Sequence, residues 1–480
     1  MWMSIRMLAV LALANFGHAM PYDTIIVGLG SAGVTAASTL ARAGKRVLGL
    51  EAMDRIGGRV KTVPFGDGLV EEGAEWIEGT EYNRVYQMAI HNKIPLLDQQ
   101  LEFDVYRSDG SLGNNTLISE LVAFCHEQAV KGSEKPLSVG EFITGKLKEH
   151  IKIKYPELKN NETFLKEFLI FMNLIVNNHQ GSNDWTEVSA KSAYKDYPGP
   201  QHISWHRYGY KTFFELALNT YNNRPGLPNL DIKLNSPVKR IIWPRNSTGN
   251  VLLECEGGKS YTARHVIVTV SLGVLKERHE KMFEPALPVE KRTVIGKMSM
   301  GVMDKIVLKL DKPWSDKKLL FFSFLWRLED IAKVSKQDHW ITRIIGASNP
   351  IGSNNTLTLW TSGDESKMET LPDEVVKRKC MDLIRKFMGK KYNIPESTEM
   401  LRSKWYSNPY TRGSYTFDNL NTPNYPHARE TLGAPLLDSS GTPRVLFAGE
   451  ATDPIHFSTV AGASDTGYRE AMRLLTSSKM

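Results

Sequence analysis

Cysteine is scarce in this sequence, which has only Cys125, Cys255 and Cys380 among 480 residues. Because the three lie far apart along the chain, they predict neither a disulfide framework nor a metal cluster. The formal net charge is +7, but no dense block of lysine and arginine is interleaved with aromatic residues. We therefore expect no nucleic-acid partner and no stable membrane association. With 41% hydrophobic and 24% charged residues, the composition is that of a globular protein.

The apolar run at the N-terminus, residues 7–14, is too short to cross a bilayer. It precedes Gly17-His18-Ala19, where small residues have the spacing of a cleavage site. This pattern predicts a signal peptide over residues 1–19 and secretion of the mature chain; an uncleaved leader and a start at Met20 are the alternatives. The tripeptide Ser478-Lys479-Met480 is close to a peroxisomal address. We favour secretion because a signal peptide acts during synthesis.

A glycine-rich turn follows the first apolar stretch after this leader. Thr24 to Val27 are apolar or β-branched, which predicts a buried parallel strand. The run "GLGSAG" follows and opens a segment of helical periodicity that ends at Gly44. "RVLGL" then predicts a second strand, which closes on Glu51. Strand, glycine turn, helix, strand and acid stand in the order of the dinucleotide-binding fingerprint.

The residues of this fingerprint have separate physical tasks. Gly28 allows the tight turn, Gly30 lets the backbone approach a pyrophosphate, and Gly33 lets the helix pack closely on the strand. The helix N-terminus, at Ser31 and Ala32, faces the phosphates. Glu51 can accept hydrogen bonds from two ribose hydroxyls, and its charge would repel a 2′-phosphate.

Two further stretches favour FAD over NAD. "DRIGGRV", residues 54–60, places a second glycine turn with Arg55 and Arg59 directly after the second strand, where it can clamp a pyrophosphate. "RVLFAGEAT", residues 444–452, predicts a strand that ends at Gly449-Glu450, before a helix whose N-terminus can face a flavin. Both stretches resemble those of the two-dinucleotide-binding-motif flavoproteins. That resemblance assigns Glu450 to the ribityl chain.

The sequence as a whole resembles the flavin amine oxidase family, and within it the polyamine oxidases, nearest to the spermine oxidases. The resemblance extends from about Tyr22 to Leu475. Its motifs come in the expected order: "GLGSAG", "EAMDRIGGRV", "EEGAEWIEG", "SPVKRI", "HVIVTVSLGVLK", "MDKIVLKLDKPW", "KWYSNPYTRGSY", "FAGEAT" and "YREAMRLL". It implies an α/β fold, in which a Rossmann-like FAD domain of the two-dinucleotide-binding-motif type is interleaved with an α+β substrate domain.

The length of the chain also favours more than one domain, because 480 residues exceed what one small core holds. We expect a discontinuous FAD-binding domain over 20–104, 230–298 and 401–480. The substrate-binding domain is expected over 105–229 and 299–400.

The resemblance gives several residues a place at the flavin. Lys305 lies in an alternating strand, and its family counterpart holds a water against flavin N5. Burial beside an oxidised flavin would favour the neutral amine of this lysine. Tyr415 corresponds to one wall of an aromatic cage that the amine must pass. Val238 and Trp405 correspond to residues that contact the cofactor.

The opposite wall of the cage maps to Ser458 and Thr459. Monoamine oxidases have a second tyrosine at the position of Thr459, so the threonine implies a wider and more polar site. Ser414 stands where those enzymes carry a cysteine that is bonded to the flavin. Because a serine forms no thioether, we expect noncovalent FAD. Relatives usually have "TTHGA" at 459–463, whereas this chain has Ala461 in place of the histidine; its role is lost or is supplied by His456.

The stretch "EEGAEWIEGTE" gathers five carboxylates around Trp76 in eleven residues, Glu71, Glu72, Glu75, Glu78 and Glu81. The resemblance places Glu75 and Trp76 beside the flavin and Glu78 at a tunnel-facing position. A carboxylate there is a direct partner for a substrate ammonium. Glu71 and Glu81 are expected to be solvated. Glu187 and Ser189 correspond to residues that contact the far end of the polyamine.

The activity that the resemblance implies is FAD-dependent oxidation of polyamines by O2. A hydride passes from the amine carbon to flavin N5, the imine hydrolyses to an amine and an aminoaldehyde, and O2 becomes H2O2. Two alternatives stay open. A secreted L-amino-acid oxidase would need an arginine facing the flavin, and Glu78 would repel its substrate carboxylate. A catalytically weakened FAD-bound binding protein is opposed by Lys305 but left open by Ala461.

Overall fold

A computed structural model of the protein describes residues 22–99, 103–313, 321–363 and 365–477. The predicted signal peptide and the tripeptide Ser478-Lys479-Met480 lie outside the described residues. The helices are α1 (Ser31–Arg42), α2 (Arg84–His91), α3 (Asn115–Lys131), α4 (Val139–Lys154), α5 (Glu162–Gln180), α6 (Lys211–Ala217), α7 (Leu272–Met282), α8 (Val289–Lys297), α9 (Leu328–Ile331), α10 (Glu365–Thr370), α11 (Asp373–Met388), α12 (Ala428–Gly433) and α13 (Val460–Ser477).

The strands are β1 (Tyr22–Val27), β2 (Val47–Leu50), β3 (Thr62–Phe65), β4 (Gly68–Glu71), β5 (Trp76–Ile77), β6 (Leu97–Asp98), β7 (Phe103–Arg107), β8 (Ile203–Ser204), β9 (Leu230–Lys233), β10 (Val238–Ile242), β11 (Val251–Cys255), β12 (Ser260–Val268), β13 (Phe283–Glu284), β14 (Ser299–Gly301), β15 (Met303–Leu310), β16 (Phe321–Leu325), β17 (Ile344–Ser348), β18 (Thr356–Ser362), β19 (Ser397–Arg402), β20 (Tyr415–Phe417), β21 (Leu436–Leu437) and β22 (Pro443–Phe447).

A nine-stranded sheet collects its strands from three distant parts of the chain. Its order is β13-β10-β11-β12-β1-β2-β9, with β22 beside the C-terminal half of β12 and β21 beside β22. β1 pairs in parallel with both β12 and β2. Because a central parallel strand is covered on both faces, its apolar run needs no alternation. The predicted strand, helix and second strand around the glycine turn are all confirmed.

The last helix packs against the first. The Ser31 hydroxyl donates to the carbonyl oxygen of Val460 at 2.8 Å, and the hydroxyls of Thr35 and Ser464 lie 2.9 Å apart. Gly467 permits this close approach, since a Cβ on it would lie 2.1 Å from the Ala32 carbonyl oxygen. Helix α13 therefore completes the layer that covers the nucleotide-binding strands.

A second, six-stranded sheet has the order β19-β15-β18-β17-β16-β7. Its neighbours are antiparallel except for the parallel β16–β7 pair. One face packs on α11, and an apolar cluster built on α3, α4 and α5 adjoins it. β7 and β19 both belong to this six-stranded sheet. The expected domain boundaries at 105 and 401 fall inside these two strands.

These two sheets and their covering helices confirm the predicted α/β fold class, with a nucleotide-binding sheet and a separate mixed substrate-side region. Within the ranges that the structure describes, no helix is both long enough and apolar enough to span a membrane.

Candidate active site

The glycine turn after β1 leaves room for a ligand backbone. Gly28 has φ +91°, a conformation that favours glycine, and a Cβ on Gly33 would lie 1.9 Å from the Gly28 carbonyl oxygen. A Cβ on Gly30 would meet no described atom closer than 3.8 Å. Among the described residues, no side chain caps α1 at Gly30. The first-turn N–H groups, at Ser31 and Ala32, therefore remain suited to an anion.

Glu51 lies at the end of β2, beside this turn. Its carboxylate accepts hydrogen bonds from the N–H groups of Leu29 at 2.7 Å and Met53 at 3.0 Å. Burial raises the pKa of Glu51. Each carboxylate oxygen keeps a further lone pair that can accept from a hydroxyl. Val238, the expected adenine contact, is a buried residue at the start of β10.

The two arginines of the second glycine turn have different partners. Arg55 donates to three carbonyl oxygens of its own turn, at 2.8 to 3.2 Å, and these bonds hold the turn together. Arg59 instead donates to the Glu450 carboxylate at 2.8 Å and to the Ser414 carbonyl oxygen at 2.7 Å. Only the second arginine therefore joins the N-terminal turn to the predicted ribityl-side acid.

Glu450 is a buried acid with several donors. Besides Arg59, it accepts from the Thr416 hydroxyl at 2.7 Å and from the Ser458 N–H at 3.1 Å. Burial alone would raise the pKa of Glu450, but the charge and hydrogen bonds of Arg59 bring it below its usual value. The acid is therefore held ionised, with its oxygens in fixed positions.

The site described so far fits a dinucleotide that carries a pyrophosphate. It combines an uncapped helix N-terminus, open space over Gly30 and a carboxylate with spare lone pairs at Glu51. A cavity lies where β12 and β22 end, the edge at which parallel sheets bind ligands. It is lined by residues that include Arg59, Val270, Ser271, Gly449 and Glu450.

Lys305 lies buried beneath the acidic stretch, with 1% of its side chain exposed. Its ammonium donates to the Glu75 carboxylate at 2.7 Å and to the Glu71 carbonyl oxygen at 3.0 Å. It also lies 4.3 Å from the ring centroid of Trp360, the residue opposite Lys305 in β18.

Trp76 extends this cluster toward the six-stranded sheet. Its ring stacks on Trp360 at 5.3 Å between centroids and meets His202 edge-on at 4.9 Å. Its indole N–H donates to the side-chain oxygen of Gln99. Trp360 thus contacts both Trp76 and Lys305, and it connects two residues that the sequence placed near the flavin.

Glu78 lies deep in the protein, yet part of its side chain is accessible. Burial, with a contribution from the negative charge of Asp196, raises its pKa to about 8. After burial, the charge of Glu78 is the next cause that raises the pKa of Tyr194, Tyr210 and Tyr415. Glu78 and Tyr415 therefore lie close enough for the charge of the carboxyl to act on the phenol.

The two aromatic residues of the "KWYSNPYTRGSY" motif differ in setting. The Tyr415 hydroxyl donates to the Asn178 carbonyl oxygen at 2.7 Å, which fixes the ring. Trp405 is 5% exposed, and a Cβ on Gly73 would lie 3.2 Å from its ring. Trp405 thus packs tightly behind the acidic stretch.

Ser458 and Thr459, the expected substrate wall, are engaged by neighbouring backbone. Ser458 has φ +67° and donates its hydroxyl to the Thr416 carbonyl oxygen. The Thr459 hydroxyl accepts from the Gly462 N–H at 2.9 Å and donates to the His456 carbonyl oxygen at 2.7 Å. The Thr459 hydroxyl therefore caps the N-terminus of α13. The sequence had instead predicted that this threonine makes the substrate wall wider and more polar.

Ala461, the departure from the family pattern, lies in an apolar cluster. His456 stacks on the Tyr197 ring at 3.8 Å and shares a 2.7 Å hydrogen bond with the Lys195 carbonyl oxygen. Both interactions bind His456 to the segment around Lys195.

Among the described residues, no hydrogen bond joins the side chain of Glu187 or Ser189 to Glu78 or Tyr415. Glu187 is exposed, and the Ser189 hydroxyl accepts from the Lys191 N–H at 3.1 Å and donates to the Lys191 carbonyl oxygen at 2.9 Å. The residues of this segment that approach Glu78 are instead Tyr194 and Asp196.

The other glutamates of "EEGAEWIEGTE" have separate environments. The expectation that Glu71 is solvated is wrong: it accepts from the Tyr210 N–H at 2.7 Å, and burial raises its pKa to about 7. Glu72 forms an ion pair with Lys61 at 2.6 Å. Glu81 is exposed, as expected.

Sequence reasoning missed Trp360, Asp196, Tyr194 and His202. Knowledge of the register between β15 and β18 would have revealed Trp360, because it stands opposite Lys305. The other three lie on the loop "SAYKDYPGPQH", whose polar and turn-forming residues gave no signal of a binding wall.

The family model for flavin containing amine oxidoreductase matches residues 31–475. The chain is 31% identical to the peroxisomal N(1)-acetyl-spermine/spermidine oxidase of Bos taurus, over 94% of each chain. It is equally similar to the Homo sapiens protein of that name, at 31% over 94% of each. It is 28% identical to the probable polyamine oxidase 5 of Arabidopsis thaliana, over 94% of this chain and 97% of that one.

Proposed function

The chain belongs to the flavin-containing amine oxidoreductase family, and from that premise we propose that it is an FAD-dependent oxidase of polyamines such as spermine. The observation that carries this proposal is a group of two acids and three phenols around Glu78: its pKa is raised by burial and by Asp196, and its charge in turn raises the pKa of Tyr194, Tyr210 and Tyr415. Acids and aromatic faces together recognise ammonium groups, and they disfavour a substrate carboxylate.

We assign the cofactor to the first glycine turn, Glu51, Arg59 and Glu450. These residues would hold FAD noncovalently, and the bound flavin would supply the acceptor for a hydride from the carbon beside the amine nitrogen and the reductant that converts O2 to H2O2. The chain contributes the uncapped N-terminus of α1 for the pyrophosphate and the carboxylate of Glu51 for ribose hydroxyls. Glu450, fixed by Arg59 and Thr416, would receive the hydroxyls of the ribityl chain.

Glu78 would bind and deprotonate the amine. A group with a pKa of about 8 changes protonation in the range where a polyamine must give up a proton before oxidation. Asp196, beside it, would hold a second ammonium of the same substrate. Tyr415, fixed through Asn178, would orient the amine by its ring face.

Lys305 would hold a water near the reacting amine. Two of its three N–H groups are used by Glu75 and the Glu71 carbonyl, which leaves one for a water molecule. Glu75 and Trp360 keep the ammonium in place. The protein's part in the reaction is thus orientation, exclusion of bulk water and placement of charge.

A peroxide-release assay tests the proposed activity. FAD-loaded protein would be offered spermine, spermidine, their N-acetyl forms and a panel of L-amino acids. Peroxide with at least one polyamine and with no amino acid supports the proposal. Peroxide with amino acids alone would establish an L-amino-acid oxidase. Absence of turnover with bound FAD would establish a binding protein.

We further propose that the mature chain is secreted, on the strength of the leader at residues 1–19. The tripeptide Ser478-Lys479-Met480 and the word "peroxisomal" in the names of two relatives support the alternative destination. N-terminal sequencing of protein from the medium and from organelle fractions tests this. An N-terminus at Met20 in the medium supports secretion, whereas an intact Met1 in peroxisomes overturns it.

A further inference from the structure

A buried arginine lies between the cofactor side and the amine side of the site. Arg429, in α12, has 8% of its side chain exposed. It donates to the Thr416 hydroxyl at 2.9 Å and to the Asp418 carboxylate at 3.0 Å. Its guanidinium carbon lies 3.4 Å from the ring centroid of Phe457. A charge this buried requires its partners, so these contacts fix one geometry.

On the cofactor side, Arg429 sets the direction of a hydrogen bond. A guanidinium only donates, so the Thr416 oxygen accepts from it. The Thr416 proton is then left for Glu450, whose carboxylate oxygen lies 2.7 Å away. That oxygen is one of the two that we assign to the ribityl chain. Arg429 thereby orients an acid that it does not touch.

On the amine side, Arg429 acts through Asp418. The second carboxylate oxygen of Asp418 accepts from the Ser192 hydroxyl at 2.8 Å and from the Ala193 N–H at 3.3 Å. The Asp418 carbonyl oxygen accepts from the Ser189 N–H at 2.9 Å. We name residues 189–197 the amine loop, because Tyr194 and Asp196 in it approach Glu78.

The ring beneath the arginine gives a second connection to the same loop. Phe457, on which Arg429 stacks, meets Tyr194 edge-on at 5.2 Å between centroids. Two independent routes, one through Asp418 and one through Phe457, therefore lead from Arg429 to the amine loop.

We propose that Arg429 is a positioning residue that keeps the amine loop and Glu450 in one fixed relation, so that the amine and the cofactor meet at the correct distance. The role assigned to the amine rests on the proposed function, whereas the connection between the loop and Glu450 does not. Lysine cannot replace this arginine, because a single ammonium cannot reproduce the planar fork that reaches both Thr416 and Asp418.

The test compares Arg429→Lys with Arg444→Lys in the FAD-loaded protein. Arg444 is a matched control: its side chain is also 8% exposed and pairs with Asp438 at 2.7 Å, away from Glu450 and the amine loop. For Arg429→Lys we expect faster hydrogen–deuterium exchange over residues 189–197. We also expect about a tenfold rise in the FAD dissociation constant and in the KM for the polyamine, with kcat changed less, as for loss of one charged hydrogen bond.

Single substitutions on the cofactor side and on the amine side of Arg429 test the proposal if Arg429→Lys does not fold. Thr416→Val should weaken FAD binding and leave exchange of the amine loop unchanged. Ser192→Ala should raise the KM and loop exchange and leave FAD binding unchanged. Equal changes from Arg429→Lys and Arg444→Lys would reduce Arg429 to a structural residue and overturn the proposal. If the wild type oxidises no polyamine, the proposed function fails, while loop exchange and FAD affinity still decide this inference.

Discussion

The Lys305 ammonium lies 2.7 Å from the Glu75 carboxylate, and the exposed fractions of the two side chains are 1% and 13%. Removing one member of such a pair leaves the other charge buried without its partner. The pair also anchors the acidic stretch to β15, since the Glu71 carbonyl oxygen accepts from the same ammonium. Chemistry and stability are therefore coupled at this lysine.

Lys305→Met is expected to slow flavin reduction or reoxidation by about a hundredfold or more, the usual worth of a positioned proton-handling group. FAD should remain bound, because no assigned cofactor contact is removed. Stopped-flow absorbance measures both half-reactions. Lys309→Met is the control, since Lys309 lies on the same strand in a more exposed pair with Glu399. Rates of Lys305→Met within about threefold of the wild type would contradict the assigned role.

Glu78→Gln should lower kcat/KM for spermine in a pH-dependent way. Glu78 has a pKa of about 8, so below that pH it is largely neutral and resembles glutamine. Above it, the carboxylate adds a charged contact worth about 1.5–3 kcal/mol. The ratio of wild type to variant should thus grow from near unity at about pH 6.5 to about tenfold or more at about pH 9. Glu81→Gln, at an exposed site, should give a flat ratio; equal ratios for both variants would indicate diffuse attraction only.

The same substitution should change how stability depends on pH. The pKa of Glu78 is about 8 in the folded protein, above the ordinary value of 4.5, so the folded state holds the proton more tightly. The contribution of this tighter proton binding to the free energy of unfolding is complete below pH 4.5 and is lost as the pH rises through 8. Relative to the wild type, Glu78→Gln should gain in Tm across this window. A difference in Tm that does not vary with pH would contradict the burial of this carboxyl.

Glu450→Gln should weaken FAD binding by about tenfold to a hundredfold, because Arg59 loses a charged partner and the ribityl chain loses an anionic acceptor. Recovery of flavin fluorescence on dilution of the holoprotein measures the dissociation. Glu254→Gln is the control, as Glu254 pairs with Arg240 on the same sheet in a partly exposed position. Equal FAD affinities of the two variants would remove Glu450 from the cofactor site.

Acid precipitation should release the flavin from the protein. The Ser414 hydroxyl accepts from the Met303 N–H at 2.9 Å and donates to the Met303 carbonyl oxygen at 2.8 Å. Both of these hydrogen bonds are made to the backbone at the start of β15. Serine also has no sulfur with which to form a thioether. Yellow colour in the supernatant is the expected result, and colour retained in the pellet would show a covalent bond at another residue.

Lys291→Met should lower the free energy of unfolding by about 2–4 kcal/mol, since carbonyl groups are left without a donor. The buried Lys291 ammonium donates to the carbonyl oxygens of Thr431, Leu432 and Ala434 at 2.6 to 2.8 Å, at the C-terminal end of α12. Thermal denaturation compares it with Lys166→Met, whose exposed pair with Glu162 should contribute less than about 1 kcal/mol. Equal losses would mean that Lys291 does not anchor the helix that carries Arg429.

The nucleotide-binding strands and the glycine turn could be predicted because their signals are local. The apolar run of β1, the spacing from Gly28 to Gly33 and the acid at Glu51 lie within one stretch of chain. Side-chain partners depend on strand registers and on loops that meet across the fold. Arg55 illustrates the difference: the sequence places it on this turn, but only the structure shows that it donates to three of the turn's own carbonyl oxygens.

The acidic stretch shows where local reasoning fails. Glu71 and Glu81 have the same side chain and stand ten residues apart, yet only the structure shows that the first is half-buried and accepts from the Tyr210 N–H whereas the second is exposed. Asp196 approaches Glu78 because a separate loop folds over it. The composition of either segment alone does not encode this contact.

The contact between Ser31 and Val460 has a consequence for the way the chain must mature on the ribosome. The two residues are 429 positions apart, so the first helix emerges long before its partner exists. At an elongation rate of about 5–20 residues per second, that gap lasts roughly 20 to 90 s. During this interval the small buried residues of α1 have no cover from α13, and for about the first half of it the edge of β1 also lacks β12. Nascent chains of this protein should therefore need chaperone protection until translation ends, and cofactor capture should be a post-translational event.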